Sequence, residues 1–180
     1  MKAYGKLMLV VILAVFVLAG CGKEDKPGVK VFMIDQNSDP TQVTEPLENA
    51  LQDKLGEDIK VEVVASPMYN PQKLMVEYAA GGNDIMILPE DDMKNYGKLG
   101  GHVVLDDHFD VKDYPEGVFA SQEEKEDKTI DKTEHLYGIP VKDLKVFKDL
   151  KYTPEKLFVT IPISSEHIDD ALKALKAMTE

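Results

Sequence analysis

The densest group of potentially reactive side chains is Leu105-Asp106-Asp107-His108-Phe109-Asp110. Alternating carboxylates with a histidine between them are a donor set for a hard cation, and the spacing faintly matches the start of a calcium loop. That loop needs glycine where Val111 stands, and a bidentate glutamate at its twelfth position, where this chain has Gly117. The same carboxylates serve equally as turn and helix-capping groups after a strand, and that is the role expected of them. Other catalytic patterns are missing. Ser164 and Ser165 precede a helical pattern and suit caps. There is no Gly-x-Ser-x-Gly elbow, no His-Glu-x-x-His and no glycine-rich phosphate cradle; His102, His108, His135 and His167 are scattered, and Cys21 is the one cysteine of 180 residues. A single cysteine provides neither a disulfide framework nor a cysteine-based metal site. The chain is therefore expected not to be an enzyme, with no metal and no cofactor.

Hydrophobic spacing shows which elements position the remaining polar residues. Residues 29–34 are apolar on both alternating faces apart from Lys30, as in a strand covered above and below. In residues 59–65, Ile59, Val61 and Val63 fall on one face and Lys60 and Glu62 on the other, the signature of an edge strand. Residues 84–88 are again apolar throughout, which sets the spatial order as second, first, third. Helices fill the gaps, as parallel strands require. The first follows Asp39-Pro40 with Val43, Leu47, Ala50, Leu51 and Leu55 at helical spacing up to Gly56; Pro46 forces a kink or a start near Thr44. The second is capped by Asn70, opens on Pro71, turns Leu74, Met75 and Tyr78 inward and stops at Gly81-Gly82. Further on, the pattern predicts a short helix over 90–96, strands over 102–105, 136–141 and 157–163, and a last helix from about Ser165 with Ile168, Leu172, Leu175 and Met178 as its apolar stripe. Residues 121–135 are almost wholly polar and predict a solvated, mobile loop without a buried role. The fold expected is α/β: a doubly wound, mainly parallel sheet whose order begins 2-1-3, with helices on both faces. In such a sheet, ligands lie where the strand carboxyl ends meet the switch in strand order. That rule selects residues 35–38, 66–70 and 89–91 and Tyr137, with Asn37, Ser38, Tyr69, Asn70, Glu90, Asp91 and Tyr137 as the candidate ligand contacts. The tyrosines could stack on a ring and the asparagines could hydrogen-bond.

The amino-terminal stretch carries a different chemistry. Lys2 and Lys6 precede an uncharged apolar run over 7–17, and Leu18-Ala19-Gly20-Cys21 places small residues just before the thiol. This is the pattern of a secretory signal with small-residue cleavage, and the four residues resemble a bacterial lipobox, whose cysteine is alkylated by diacylglycerol and becomes the first residue after cleavage. An uncleaved transmembrane anchor is the alternative, but 7–19 is short of the roughly 20 apolar residues a bilayer needs. Residues 1–20 are thus expected to be a lipoprotein signal peptide, 21–28 a lipidated cysteine and tether, and 29–180 a single α/β domain. Its location is then the cell membrane, lipid-anchored and facing outward. The formal net charge of −12 disfavours nucleic acid, which is bound by neutralising phosphates, and disfavours adhesion to anionic lipid. The membrane partner must be reached through lipid on Cys21.

Four stretches together resemble the lipid-anchored solute-binding proteins of ABC importers, a family with a two-lobe, type II periplasmic-binding-protein-like fold. They are the lipobox with its first strand, the run from Glu77 through Gly81-Gly82-Asn83-Asp84 to Leu88, the element Leu136-Tyr137-Gly138-Ile139-Pro140-Val141, and Ile161-Pro162-Ile163-Ser164-Ser165-Glu166 leading into Ala171-Leu172-Lys173-Ala174-Leu175. The resemblance implies capture of an extracytoplasmic small solute and partnership with a permease. The chain departs from that pattern where the family builds its second lobe: only residues 142–155 separate the third and fourth stretches. The resemblance is thus to one lobe. A single lobe cannot close a cleft on itself, which leaves room for completion by a second copy, or for a non-transport protein-interaction module derived from such a lobe. Tryptophan, a frequent stacking platform in sugar binders of this family, is absent.

Overall fold

The computed structural model describes residues 28–122 and 132–180. The expected signal segment 1–20, Cys21 with its tether up to residue 27, and residues 123–131 of the charged stretch lie outside the described residues.

The strands are β1 (Gly28–Met33), β2 (Lys60–Ala65), β3 (Ile85–Pro89), β4 (Val118–Ala120), β5 (Glu134–Leu136), β6 (Ile139–Pro140) and β7 (Leu157–Thr160). Five of them form a sheet in the order β2-β1-β3-β7-β6, and β4 and β5 pair separately. The expected order 2-1-3 is present. β1 lies between its two parallel neighbours, with Val31 opposite Val63 on one side and Ile85 on the other. β7 pairs antiparallel with both β3 and β6, so it runs against the other strands of the sheet. β2 alternates between buried Val61 and Val63 and exposed Lys60 and Glu62, as an edge strand should. Its outer edge is occupied by side chains: Val61 N–H donates to Gln52 Oε1 at 3.0 Å, Gln52 Nε2 donates to the Ile59 carbonyl at 3.0 Å, and Val63 N–H donates to Glu48 Oε2 at 2.9 Å.

The helices are α1 (Thr44–Leu55), α2 (Pro71–Ala80), α3 (Glu90–Lys98), α4 (Lys145–Asp149) and α5 (Ile168–Thr179). Asp39 caps a 3-10 turn, Pro40–Val43, and α1 starts only at Thr44. Pro46 then sits in the first turn, where a backbone N–H has no intrahelical acceptor to lose. On one face of the sheet, Leu47 and Leu51 of α1, Phe147 of α4, and Leu172, Leu175 and Met178 of α5 pack on Val29, Val31, Ile85 and Ile87. On the other, Leu74 of α2 and Met93 of α3 join Phe119 and Tyr137 over Phe32, Ile34, Met86 and Phe158. Helices therefore cover both faces.

Several expectations need correction. Met75 points outward, 58% exposed, because α2 rests on the sheet through Leu74, and the next residue lies about 100° round the helix. Residues 102–105 are not a strand. His102 makes a single bridge to Pro162, and the Val103 and Leu105 N–H groups donate to Ile161 and Leu136 without forming a ladder. The stretch 136–141 splits, with Leu136 ending β5 and Ile139 entering the main sheet. The break lies at Gly138, whose carbonyl oxygen would be only 1.7 Å from a Cβ on Gly117, so this crossing needs glycine at 117. Strand 157–163 stops at Thr160, and the last helix begins at Ile168 rather than near Ser165. At the carboxyl end of the charged stretch, Glu134 and His135 belong to β5, with His135 opposite Phe119 and half-buried.

Candidate functional site

The loops after β1, β2 and β3 come together where the crossover through α1 and the crossover through α2 leave in opposite directions. After β1, the buried carboxylate of Asp35 organises the turn. It accepts hydrogen bonds from Asn37 N–H at 3.0 Å, from the Ser38 hydroxyl, and from Tyr152 Oη at 3.2 Å; the two hydroxyls lie 3.0 Å apart. Burial, with the charge of Asp35 adding to it, pushes the Tyr152 hydroxyl up to about 12, so it stays a donor. After β2, Tyr69 Oη donates to both oxygens of Asp92 in α3, at 3.2 and 3.0 Å, and the Gln36 side chain lies close to the Tyr69 hydroxyl. Burial raises the Asp92 carboxyl, with Asp91 adding to it and the Tyr69 bond opposing. The Tyr69–Asp92 bond thus joins the loop after β2 to the start of α3, with Gln36 of the loop after β1 close to the phenol.

The residues singled out in sequence occupy different places around this point. Ser38 belongs to the Asp35 network, and the Asn37 side chain is exposed beside it. Asn70 Oδ1 caps α2, accepting from Gln72 and Lys73 N–H at 2.9 and 3.2 Å. Glu90 pairs with Lys94 at 2.6 Å, one turn along α3, and Asp91 is exposed. Tyr137 is in the core, 5% exposed, its ring 4.7 Å from Phe119 and its carbonyl accepting from Thr160 Oγ1 at 2.7 Å. Asp35 and Gln36 lie in the selected loop 35–38 but were not named as ligand contacts, and Asp92 and Tyr152 lie outside the selected loops. Asp92 stood one residue beyond the selected pair, at the start of a helix, whereas Tyr152 is 117 residues from Asp35, and no local spacing could join them.

Behind Asp92, Tyr78 stacks on Tyr96 with centroids 3.8 Å apart, and Tyr78 Oη meets His102 Nε2. His102 is 3% exposed, and its Nδ1 has no hydrogen-bond partner among the described residues. Burial pulls its pKa down to about 4, and burial holds Tyr78 well above the ordinary phenol range, so this aromatic wall is uncharged near neutrality.

A cleft of about 410 Å³ opens at the other end of the sheet, lined among others by Lys30, Lys60, Glu62, Asp84, Glu166 and His167. Asp84, 4% exposed, anchors its wall: Oδ2 accepts from Lys30 N–H at 2.9 Å, while Oδ1 accepts from Ser165 Oγ at 2.8 Å and lies 3.3 Å from His167 Nδ1. Serine, histidine and aspartate meet here, but the serine hydroxyl donates to the aspartate and not to the histidine, so no base activates it. In the 105–110 cluster, Asp106 accepts from Leu136 N–H and pairs with His135 Nδ1, each at 2.7 Å, and Asp110 caps the turn Val111–Asp113. Among the described residues, no three His, Cys, Asp or Glu side chains are placed to hold a metal ion, and no helix is long and apolar enough to cross a membrane.

No protein-family model matches the chain, and no curated protein sequence matches it. Solved structures that it resembles include an extracellular solute-binding protein family 1 member from Alicyclobacillus acidocaldarius (23% identity, TM-score 0.41, covering 65% of this chain and 29% of that one). Two others are the maltose-binding periplasmic protein MalE from Listeria monocytogenes in complex with maltose (21%, 0.40, 65% and 27%) and apo RafE from Streptococcus pneumoniae (18%, 0.43, 74% and 34%). The aligned region thus spans about three tenths of the length of these proteins.

Proposed function

We propose that this chain is an outward-facing bacterial lipoprotein of the solute-binding class, held at the cell membrane by lipid on Cys21. It binds a small extracytoplasmic solute without transforming it. Residues 29–180 act as one α/β unit, and the solute rests on the carboxyl ends of β1, β2 and β3, against Asn37, Ser38, Tyr69, Asn70, Glu90 and Asp91, with Asp92 joined to them. The observation that carries this reading is the hydrogen bond from Tyr69 to Asp92, which joins the second and third strand ends, with Gln36 of the first beside the phenol. It presents a phenol and a carboxylate, fixed against each other, at the switch in strand order, where open α/β sheets take their ligands.

Tight small-molecule pockets bury roughly 70–90% of a ligand, and a surface contributed by one lobe covers only one side. The monomer is therefore expected to bind weakly, with Kd in the high micromolar range or above, on the order of −5 kcal/mol. Calorimetry with sugars, amino acids and short peptides, run beside sedimentation, tests this. Heats that vanish in Tyr69→Ala and Asp92→Asn support the site, and binding indifferent to both variants refutes it. Changing Cys21 to Ser should release the protein or leave an uncleaved precursor; normal processing and retention would exclude the lipid anchor.

One observation favours a second reading. Only a 3-10 turn and the five-residue α4 lie between β6 and β7, so no second body is available at that point to close on a solute. A protein-interaction module derived from one lobe uses the same surface for a protein partner, either a permease or a second copy of this chain. Concentration-dependent dimers that gain solute affinity would join the two readings.

A further inference from the structure

We propose that the cleft at the amino ends of β1 and β2 is a second binding site, independent of the surface at the opposite end of the sheet, and that its ligand is a small zwitterion: an α-amino acid or a short peptide with free termini. Its floor is the face of β1 and β2 that α2 leaves open. Gly28 is in register with Lys60, and Lys30 with Glu62. Lys30 and Glu62 are opposite charges on adjacent parallel strands, yet they form no ion pair, and Lys60 and Glu166 likewise have no side-chain partner among the described residues. Two ammonium groups and two carboxylates therefore line one cleft with no side-chain partner among the described residues.

The wall facing them is fixed. Asp84 has both oxygens engaged, tying β1, the turn before β3 and the segment before α5 into one unit. Gly81 and Gly82, at φ 66° and 81°, make the turn that brings this wall round, a conformation side chains rarely adopt. His167 Nδ1, 3.3 Å from Asp84 Oδ1, is the donor of that contact, because a carboxylate only accepts. A site whose walls are held in advance loses less to ordering on binding.

The charge balance selects the ligand. An apolar molecule would strip water from four ionised groups without replacing it. A simple anion would satisfy the lysines but be repelled by Glu62, Glu166 and Asp84 in the wall, and a simple cation would satisfy the exposed carboxylates but be repelled by Lys30 and Lys60. A molecule carrying both an ammonium and a carboxylate satisfies both pairs, and the cleft volume of about 410 Å³ is in the range of small-molecule pockets. Lys60 and Glu62 are two residues apart on β2, roughly 6.6 Å along the strand, a separation that a dipeptide's termini span more readily than those of a free amino acid.

The test is an amide NMR titration of the full chain in a mild nonionic detergent with glycine, glycylglycine, acetate and methylamine. Saturable shifts at Gly28, Lys30, Glu62, Gly82 and His167 with the zwitterions, at least tenfold tighter than with acetate or methylamine, are expected. Glycylglycine against glycine distinguishes a peptide site from an amino-acid site. Lys60→Ala and Glu62→Gln, both at exposed positions, should each weaken that binding at least tenfold with unchanged melting temperature. Absence of saturable shifts at these residues, equal response to acetate alone, or binding indifferent to both variants overturns the proposal. Shifts confined to Tyr69 and Asp92 would place the zwitterion at the other end of the sheet and also overturn it, while leaving the solute-binding reading intact.

Discussion

The two faces of the sheet are built differently. α5 buries Ala171, Leu172, Ala174, Leu175, Ala177 and Met178 against one face, whereas α2 buries only Leu74 against the other. The first face is closed mainly by aliphatic side chains from α1 and α5, with Val146 and Phe147 of α4 beside them. The second is closed by aromatic rings, with a neutral histidine and two tyrosines set among them. Apolar burial supplies most folding free energy, so the aliphatic face holds the fold and the aromatic face is the one with freedom to carry polar groups. The residues joining the second and third strand ends, Tyr69 and Asp92, lie on the second side, next to Tyr78 and Tyr96. Lower local stability is expected of elements that bind.

The largest effect should come from the aliphatic face. Leu175→Ala is expected to cost about 4 kcal/mol, and Leu74→Ala about 2 kcal/mol, both within the range for fully buried leucines, because α2 can settle into the space more freely. Removal of 164–180 should unfold the domain. Equal losses in urea melts of the two leucine variants would erase the difference between the faces. The next effect is electrostatic and belongs to the aromatic face. His102 has a folded pKa near 4 against about 6.5 unfolded, so the unfolded state binds the extra proton between those values. The stability it permits is complete above about pH 6.5 and falls as pH drops towards 4, by about 3 kcal/mol in total. Denaturation at pH 7 and pH 4.5 reads this, and His102→Gln should remove that part of the slope. A smaller test separates the two sides of α2. Losing the Asn70 cap by Asn70→Ala should cost about 1 kcal/mol, while Met75→Ala on the outer side should change melting by less than about 0.5 kcal/mol.

How far these features were legible depends on the range of the interaction behind them. β1, β2 and β3 could be placed, and ordered, from alternation alone because burial on one or two faces writes directly into residue type. The caps at Asp39 and Asn70 were equally readable, since a cap bonds within three residues of itself. Met75 was misplaced because period alone does not say how deep a helix sinks: α2 meets the sheet on a narrower line than its apolar residues suggest. Residues 102–105 have strand-like composition, but the chain runs past the exit of β7 with one bridge, a matter of neighbours and not propensity. At the site, Tyr69 and Ser38 were accessible from the strand-end rule, whereas the Asp35 to Tyr152 bond and the Asp106 to His135 pair join distant segments. Lys30, Lys60 and Glu62, which have no side-chain partner among the described residues, looked like an ordinary wet edge until the turn at Gly81-Gly82 and the Asp84 anchor placed a wall beside them.

The side chains of Glu48 and Gln52 on the rim of β2 decide how this molecule can and cannot grow. They hold the outward Val61 and Val63 N–H groups and the Ile59 carbonyl, so an incoming strand from another chain meets a ladder whose rungs are already taken. The far rim ends on a two-residue strand containing Pro140, which has no N–H to offer. Polymerisation by strand addition is thus stopped at both ends. That closure keeps neighbouring copies, however crowded, from adding strand to strand into fibrils.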